Sequence, residues 1–252
     1  MSKMNIRTVK IILVIIFTLA LLIYSAPASL VSDPIKDVKI PVTLSGFQGR
    51  LVSGQVEQLQ YQNLVYEQLS WQLNPLSLIS GTASGSIQLE DRKARLKADL
   101  VLQDQRVWQI DNLNGQVQLA PIADTLAIFK LFQIAGYIEF EEIFLAQNMD
   151  AFSNASGDLH WQDARISVNN LEFELGTVDA VLSTDGTELF IDFNATQGLT
   201  PQGRLALTTK GDYKIQFSID PNSLNNQSKW LAQMGKTNPD GRVAYSMNGR
   251  FR

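Results

Sequence analysis

A chain with one histidine and no cysteine offers few residues for chemistry. The histidine is His160, in DLHWQD, where Asp158 shares its strand face and is placed to hydrogen-bond it. A Ser-His-Asp hydrolase would set that imidazole beside a serine on a sharp turn, and no G-x-S-x-G element occurs. Zinc needs several His or Cys ligands, so neither a catalytic nor a structural zinc site fits this composition. The densest acidic cluster is YIEFEEIF, with Glu139, Glu141 and Glu142. Glu139 and Glu141 share a strand face, an arrangement that suits loose calcium binding, a pair flanking a glycosidic bond, or simply a solvated surface; the solvated surface is the commonest of the three. No phosphate-cradling loop or dinucleotide fingerprint is present, and Gly46-Phe47-Gln48-Gly49 has the wrong glycine spacing for one. These residues point away from an enzyme and from any cofactor.

The elements that carry these residues are strands. Beyond Pro41 the pattern has period two: Leu69, Trp71 and Leu73; Leu96, Ala98 and Leu100; Leu171, Phe173 and Leu175; Leu189, Ile191 and Phe193; Tyr213, Ile215, Phe217 and Ile219; Val243, Tyr245 and Met247. Six segments repeat a Gly-x-aliphatic signature, at Gly54, Gly85, Gly115, Gly157, Gly203 and Gly241, which reads as turn followed by strand start. Irregular spacing makes this a meander of hairpins and not a strict solenoid. In LSWQLNPLSL, Leu69 to Leu78, an alternating strand meets Pro75, which cannot donate to a ladder and so ends it; IQFSIDPNSL, Ile215 to Leu224, echoes the same design. Trp71 anchors the apolar face of the first of these strands. Three- and four-residue steps predict short helices over Pro121 to Gly136 and Ser223 to Gly235. Helices so sparse cannot cover the sheet, whose apolar face must fold on itself, meet a partner or hold lipid.

Charged residues are 18% of the 252 and the formal charge is −4, with Gln, Asn, Ser and Thr filling the polar positions. Lys and Arg are scattered, which excludes a nucleic-acid face. At the N-terminus, Lys3, Arg7 and Lys10 precede the uncharged span Ile11 to Ser32, long enough for a bilayer crossing of roughly 20 residues. The positive-inside rule then gives a cytoplasmic segment 1–10, an anchor 11–32, a linker 33–45 and an exported β-rich domain 46–252. The small-x-small Ala26-Pro27-Ala28 admits a cleaved signal peptide as the rival reading, with the same destination for the body.

With these residues in place, the stretch GFQGRLVSGQVEQLQYQNLVYEQLSWQLNPLSLISGTASGSIQL, Gly46 to Leu89, resembles the N protein family of the bacterial type II secretion system, also called the general secretion pathway. The likeness rests on a glycine-led strand with Gly46, Gly49 and Gly54, a strand ending W-x-L-x-P-x-x-L with Trp71, Leu73, Pro75 and Leu78, and a glycine-rich continuation from Gly81. Phe47 stands where that family has tryptophan, which keeps the aromatic. NGQVQLAP, ASGDLHWQDARI, QGRLAL and GRVAYSMNGRF fit more loosely. The resemblance implies a single-pass inner-membrane protein with a periplasmic β-rich domain. It would be accessory to export of folded proteins across the outer membrane and contact the inner-membrane platform or the outer-membrane secretin. No catalytic residue comes with it. The expected fold is therefore mainly β: an N-terminal transmembrane helix, then a repetitive, mostly antiparallel curved sheet with two short helices. The repeats are also similar, more distantly, to AsmA-like proteins, whose grooves hold lipid; in that alternative Trp71, Leu73, Phe173 and Phe193 would line an acyl-chain groove.

Overall fold

A computed structural model of the chain describes residues 24–31, 42–104, 106–123, 133–168, 171–223, 232–233 and 235–250. They form one antiparallel sheet: β1 (Val42–Ser45), β2 (Gln48–Gly49), β3 (Ser53–Tyr61), β4 (Leu64–Leu73), β5 (Ala83–Glu90), β6 (Ala94–Leu102), β7 (Val107–Gln118), β8 (Gln133–Asn148), β9 (Ala151–Val168), β10 (Leu171–Thr184), β11 (Leu189–Ala195), β12 (Gln202–Leu207), β13 (Asp212–Ile219), β14 (Lys236–Thr237) and β15 (Val243–Arg250). From β3 to β13 each strand pairs with the next, so the chain is a long meander. Its ends are β1, with β2 beside β3, and the pair β15–β14. Period-two alternation thus gives the expected strands, and the mainly β, curved antiparallel sheet is present.

The ladder registers align the alternation from strand to strand. Val56, Leu69, Leu89, Leu96, Gly115, Phe140, Leu159, Ala180, Phe193, Gly203, Phe217 and Tyr245 are successive cross-strand partners from β3 to β15. Eleven steps at a strand spacing of about 4.8 Å make an apolar row about 50 Å long, measured along the sheet. The row beside it is polar: Glu90, Arg95, Gln116, Glu139, His160, Asp179, Asn194, Gln202 and Ser218.

Among the described residues little is laid over the apolar face, and the core they form is shallow. The largest side chain that is completely enclosed among the described residues is only that of Val56. The most extensive buried cluster joins Ile143, Phe152, Ala155, Leu182 and Leu189, with Trp108, Phe140, Ile191 and Leu207 packed around it. Strong curvature lets β7 and β12 share that cluster. The same curvature brings the β12–β13 turn onto the β8–β9 turn, where Thr209 Oγ1 donates to the Asp150 carbonyl at 2.8 Å.

Bulges make the curvature. Asn112, Glu142 and Asp163, inside β7, β8 and β9, each have φ 49°, and the register shifts beside them. An extra residue in one strand bends it and increases local twist. This corrects the reading of the repeated glycine signature. Gly54, Gly85 and Gly203 do lie near strand starts, but Gly115 and Gly157 sit deep inside β7 and β9. Gly157, at φ +123°, faces the Glu142 bulge: a Cβ there would lie 2.8 Å from the Ile143 Cα and 2.9 Å from the Glu142 carbonyl oxygen. At Gly115, φ +130°, a Cβ would collide with the Arg95 carbonyl.

The helices fall partly elsewhere than the three-four periodicity placed them. Helix α1 (Pro75–Ile79) follows β4, and α2 (Leu119–Ala123) follows β7. The helix expected over Pro121 to Gly136 begins earlier and is described only to Ala123, and by Gln133 the chain is already β8. There, Gln133, Ile134 and Ala135 pair with Ser167, Ile166 and Arg165, so ladder pairing overrides the local pattern. Of Ser223 to Gly235, Ser223 ends a 3-10 turn, Ala232 and Gln233 are helical, and residues 224–231 and 234 lie outside the described residues.

At the N-terminus, the proposed membrane span from Ile11 lies outside the described residues as far as residue 23. No described helix is long and apolar enough to cross a membrane. The end of that span, however, belongs to the sheet: Ala26 O accepts from Leu51 N at 2.8 Å, Pro27 bridges to Arg50, and Ala28 is 2% exposed. An apolar run reads alike whether it faces lipid or a protein core. Val42–Ser45, read as the end of a linker, is strand β1 and pairs with β3.

Gly115→Ala forces a side chain into the Arg95 carbonyl at a positive φ, and should destabilise the protein by about 1–3 kcal/mol. Urea unfolding of the protein checks this: the midpoint falls while its slope stays unchanged, and an unchanged midpoint refutes the bulge assignment.

Candidate functional site

The residues that carry the family likeness meet at the first end of the sheet. The Trp71 side chain packs against Ala28 and Val56 and is ringed by Leu44, Phe47, Leu69, Leu73 and Ile87. It is 7% exposed, and its indole Nε1 donates to the Leu51 carbonyl at 2.8 Å. Gly54 makes room for it, since a Cβ at Gly54 would lie 2.6 Å from the indole Cζ2 and 3.0 Å from the Ala28 Cβ. Gly46 and Gly49, at φ +71° and +85°, supply the turns that bring β1 and β2 onto β3. Phe47, in the family's tryptophan position, joins the same cluster.

Leu73 closes β4, its N–H donating to the Val52 carbonyl at 2.7 Å. The corner that follows is built by Asn74 and Pro75. Asn74 Oδ1 accepts from Leu76 N at 3.0 Å, Pro75 occupies the first helical turn where its missing N–H costs nothing, and Ser77 Oγ donates to the Asn74 carbonyl at 2.8 Å. Leu78 and Gly81 complete the turn, Gly81 at φ +82° donating its N–H to the Leu78 carbonyl at 3.2 Å. The echo in IQFSIDPNSL is structural as well. After β13, Asp220 Oδ1 accepts from Asn222 N at 2.9 Å and Ser223 Oγ donates to the Asp220 carbonyl at 2.6 Å. The sequence reading saw Pro75 as a stop and missed the helix it opens. Asn-Pro-x-Ser, an N-cap followed by proline at the first helical position, was the signal for it.

His160 is oriented by a different acid from the one its own strand offered. Its Nδ1 lies 2.7 Å from Asp179 Oδ1 on β10, and its Nε2 lies 3.5 Å from Glu141 Oε2 on β8. Asp158 sits opposite Glu141 instead. Both ring nitrogens face carboxylates, so neither is turned to a hydroxyl for nucleophilic catalysis. Glu139 and Glu141 do share the polar face, while Glu142 takes the bulge position and its N–H is bound by Asn114 Oδ1 at 3.0 Å. No group of three or more His, Asp or Glu side chains among the described residues is arranged to hold a metal ion. Concave spaces lie over polar strands. One of about 600 Å³ is lined by Glu67, Gln88, Arg95, Lys97 and Asn114 with their neighbours.

The alternative reading sets Trp71, Leu73, Phe173 and Phe193 along one acyl-chain groove. All four lie on the apolar side, yet Trp71 is enclosed by its cluster, whereas Phe193 packs at the rim of the one formed by Ala164, Leu175, Val178 and Ala195.

The Trp71 analysis predicts that Trp71→Ala costs about 3–5 kcal/mol of stability. Trp71→Phe, which keeps the ring but loses the bond to Leu51, should cost less. Thermal unfolding of both variants checks the order, and an unchanged melting temperature for Trp71→Ala overturns it. The hydrogen bond to Asp179, reinforced by its charge and by Glu141, raises the His160 pKa above its ordinary 6.5. A group raised on folding stabilises the fold fully below its unfolded pKa and loses that contribution as pH rises through the folded value. Stability should therefore fall from about pH 6.5 upward, a limb that flattens in His160→Ala. The one imidazole titrates visibly by NMR; a midpoint at or below 6.5 contradicts the clamp.

Among the described residues the geometry is that of a folded corner and two long faces, with no assembled reaction centre. The family model described as type II secretion system (T2SS), protein N, matches residues 41–246. A type II secretion system protein N of Aeromonas hydrophila is 25% identical over 263 residues, covering 96% of this chain and 99% of that protein. No solved structure matches. The match takes in both Asx-Pro corners and nearly the whole sheet, and the chain belongs to the type II secretion system protein N family.

Proposed function

We propose that the protein is a non-catalytic accessory subunit of the type II secretion machinery. In this reading the uncharged segment that begins at Ile11 holds it in the inner membrane with residues 1–10 in the cytoplasm, and the β-rich body stands in the periplasm. It supports export of folded proteins across the outer membrane through contacts with the inner-membrane platform or the outer-membrane secretin. One observation carries the reading: the family-motif residues Gly46, Gly49, Gly54, Trp71, Leu73, Pro75, Leu78 and Gly81 build a strand corner, and what that corner supports is an extended sheet surface and not a cleft. Sheets with open ends bind partners by adding strands, with backbone hydrogen bonds for affinity and alternate side chains for specificity.

A second reading rests on the apolar row. Phe140, Leu159, Phe193 and Phe217 along it are only half-buried, a surface suited to acyl chains in an AsmA-like groove.

One experiment separates the two. A photo-crosslinking residue is placed at Leu102, 47% exposed at the end of the apolar side, and another at Val181, 53% exposed on the polar side. Irradiation in cells that export a folded enzyme should attach a secretion component, and deletion of the gene should lower that export. A phospholipid adduct at Leu102 favours the groove. Normal export after deletion, with no protein adduct at either site, overturns the subunit reading.

A further inference from the structure

The first end of the sheet is guarded against further strands. Proteins close such edges with short strands, proline and covering segments. Here β1 is four residues long and preceded by Pro41, β2 covers Gly54 and Gln55, and Ala26 and Pro27 pair with Leu51 and Arg50. Apolar side chains nevertheless stand in the open at this corner: Tyr24 is 53% exposed, Leu30 46% and Leu76, on α1, 71%. They leave the sheet at one rim. Ala26 O accepts from Leu51 N, and the next residue, Val52, accepts from Leu73 N, two residues before α1 begins. The sequence is uncharged over residues 24–31, 40–49, 51–56 and 68–89, so the one ion set among these segments is Arg50. Its guanidinium lies over the Tyr24 ring, 4.7 Å from the centroid, and among the described residues it has no carboxylate partner.

We propose that this corner rests on the periplasmic lipid surface of the inner membrane, with Leu30 and Leu76 among the upper acyl chains and Tyr24 and Arg50 at the headgroups. The inference rests on the membrane anchor proposed above, and chain length carries it. Tyr24 and Ser25 are helical, and Ala26 and Pro27 already pair with the sheet, so a spanning helix that starts at Ile11 ends by Ser25. A straight helix over that stretch reaches about 22 Å, against a hydrocarbon core of about 30 Å. A short span is accommodated by thinning of the bilayer and by flanking residues that reach to the interface. The attached corner is thereby drawn onto the lipid, with no slack chain in between. What it presents there suits that surface. Tyrosine belongs at the headgroup level, an arginine stacked on its ring keeps donors for a phosphate, and none of these segments holds a carboxylate to repel one. Exposed apolar side chains gathered at one place mark a contact, and the guarded edges make a strand of another protein the poorer occupant. The opposite rim differs in kind, its β5–β6 turn being Asp91-Arg92-Lys93.

Because the chain lacks cysteine, single cysteines carry a fluorophore without background. Full-length protein is placed in nanodiscs of phosphatidylethanolamine and phosphatidylglycerol, with the label at Leu30→Cys, Leu76→Cys or, beside the β3–β4 turn on the opposite rim, Val65→Cys, a position 37% exposed. Nitroxides on the lipid acyl chains should quench the labels at Leu30 and Leu76 and spare the one at Val65, while iodide in the water should do the reverse. Arg50→Glu should lower the lipid quenching at Leu76. A label at Ile16→Cys, inside the apolar run, reports the anchor separately. Lipid quenching at Ile16 with only iodide quenching at Leu76 overturns the corner contact and leaves the anchor standing; no lipid quenching at either position overturns both. A Leu76 label shielded from both quenchers is covered by protein, which also overturns the proposal, and unchanged quenching in Arg50→Glu overturns the assignment of Arg50 to a phosphate.

Discussion

Register is the constraint on which the rest of this structure depends. A single sheet with one apolar face and only short helices to cover it stays folded if every strand presents the same side inward, and a slip of one residue would turn a whole strand inside out. The row from Val56 to Tyr245 is that condition satisfied through eleven successive pairings. Bulges must therefore restore parity after they bend a strand. Around Asp163 they do: Trp161 and Ala164, three residues apart, both reach the apolar side because the bulged residue takes up the extra step. The glycines opposite the bulges are part of the same device, and their backbone closeness is why side chains are excluded at Gly115 and Gly157.

The polar face answers a second requirement, that long ladders avoid setting like charges against each other. Amides do most of this. Gln48 donates to Glu57, Gln55 to Gln48, and Gln109 to Asp111, while Arg204 grips Asp192 with two donors at 2.6 and 2.8 Å. The middle strands break the rule, with Glu141 opposite Asp158 and Glu139 one row away. There the single histidine bridges β8 to β10, which gives His160 an electrostatic task in the sheet and accounts for its raised pKa.

Much of this was legible in the sequence, for physical reasons that also mark its limits. Period two is set by the pleat itself, so Leu69, Trp71 and Leu73 or Tyr213, Ile215 and Phe217 reveal their strands without help from distant residues. The corner after Trp71 was legible as an ending because proline lacks a donor, and its helix was missed because the Asn74 side chain was not counted as a cap. The bulges were hidden: Asn112, Glu142 and Asp163 share no residue type, and only a doubled polar pair such as Glu141-Glu142 interrupts the alternation. His160 was matched to Asp158 because local neighbours are visible in a sequence, whereas Asp179 becomes its neighbour only through the β9–β10 register. Ala28 was assigned to the membrane for a related reason, since hydrophobicity reports burial without saying in what.

Ala28 also ties the two halves of the proposed topology together. Its side chain touches the Trp71 cluster, and the backbone beside it pairs with Arg50 and Leu51, so the sheet starts within a few residues of where the proposed anchor ends. With the anchor in the inner membrane, the guarded end of the sheet stands close to the lipid surface and cannot swing away without breaking that cluster. The β15 end then lies about twelve strand spacings away, roughly 60 Å along the curved sheet. A meander with one end tied and the other open is directional in a way its nearly uniform hairpins are not. In the proposed topology the tied end fixes where the molecule stands and leaves the faces and the far edge to partners.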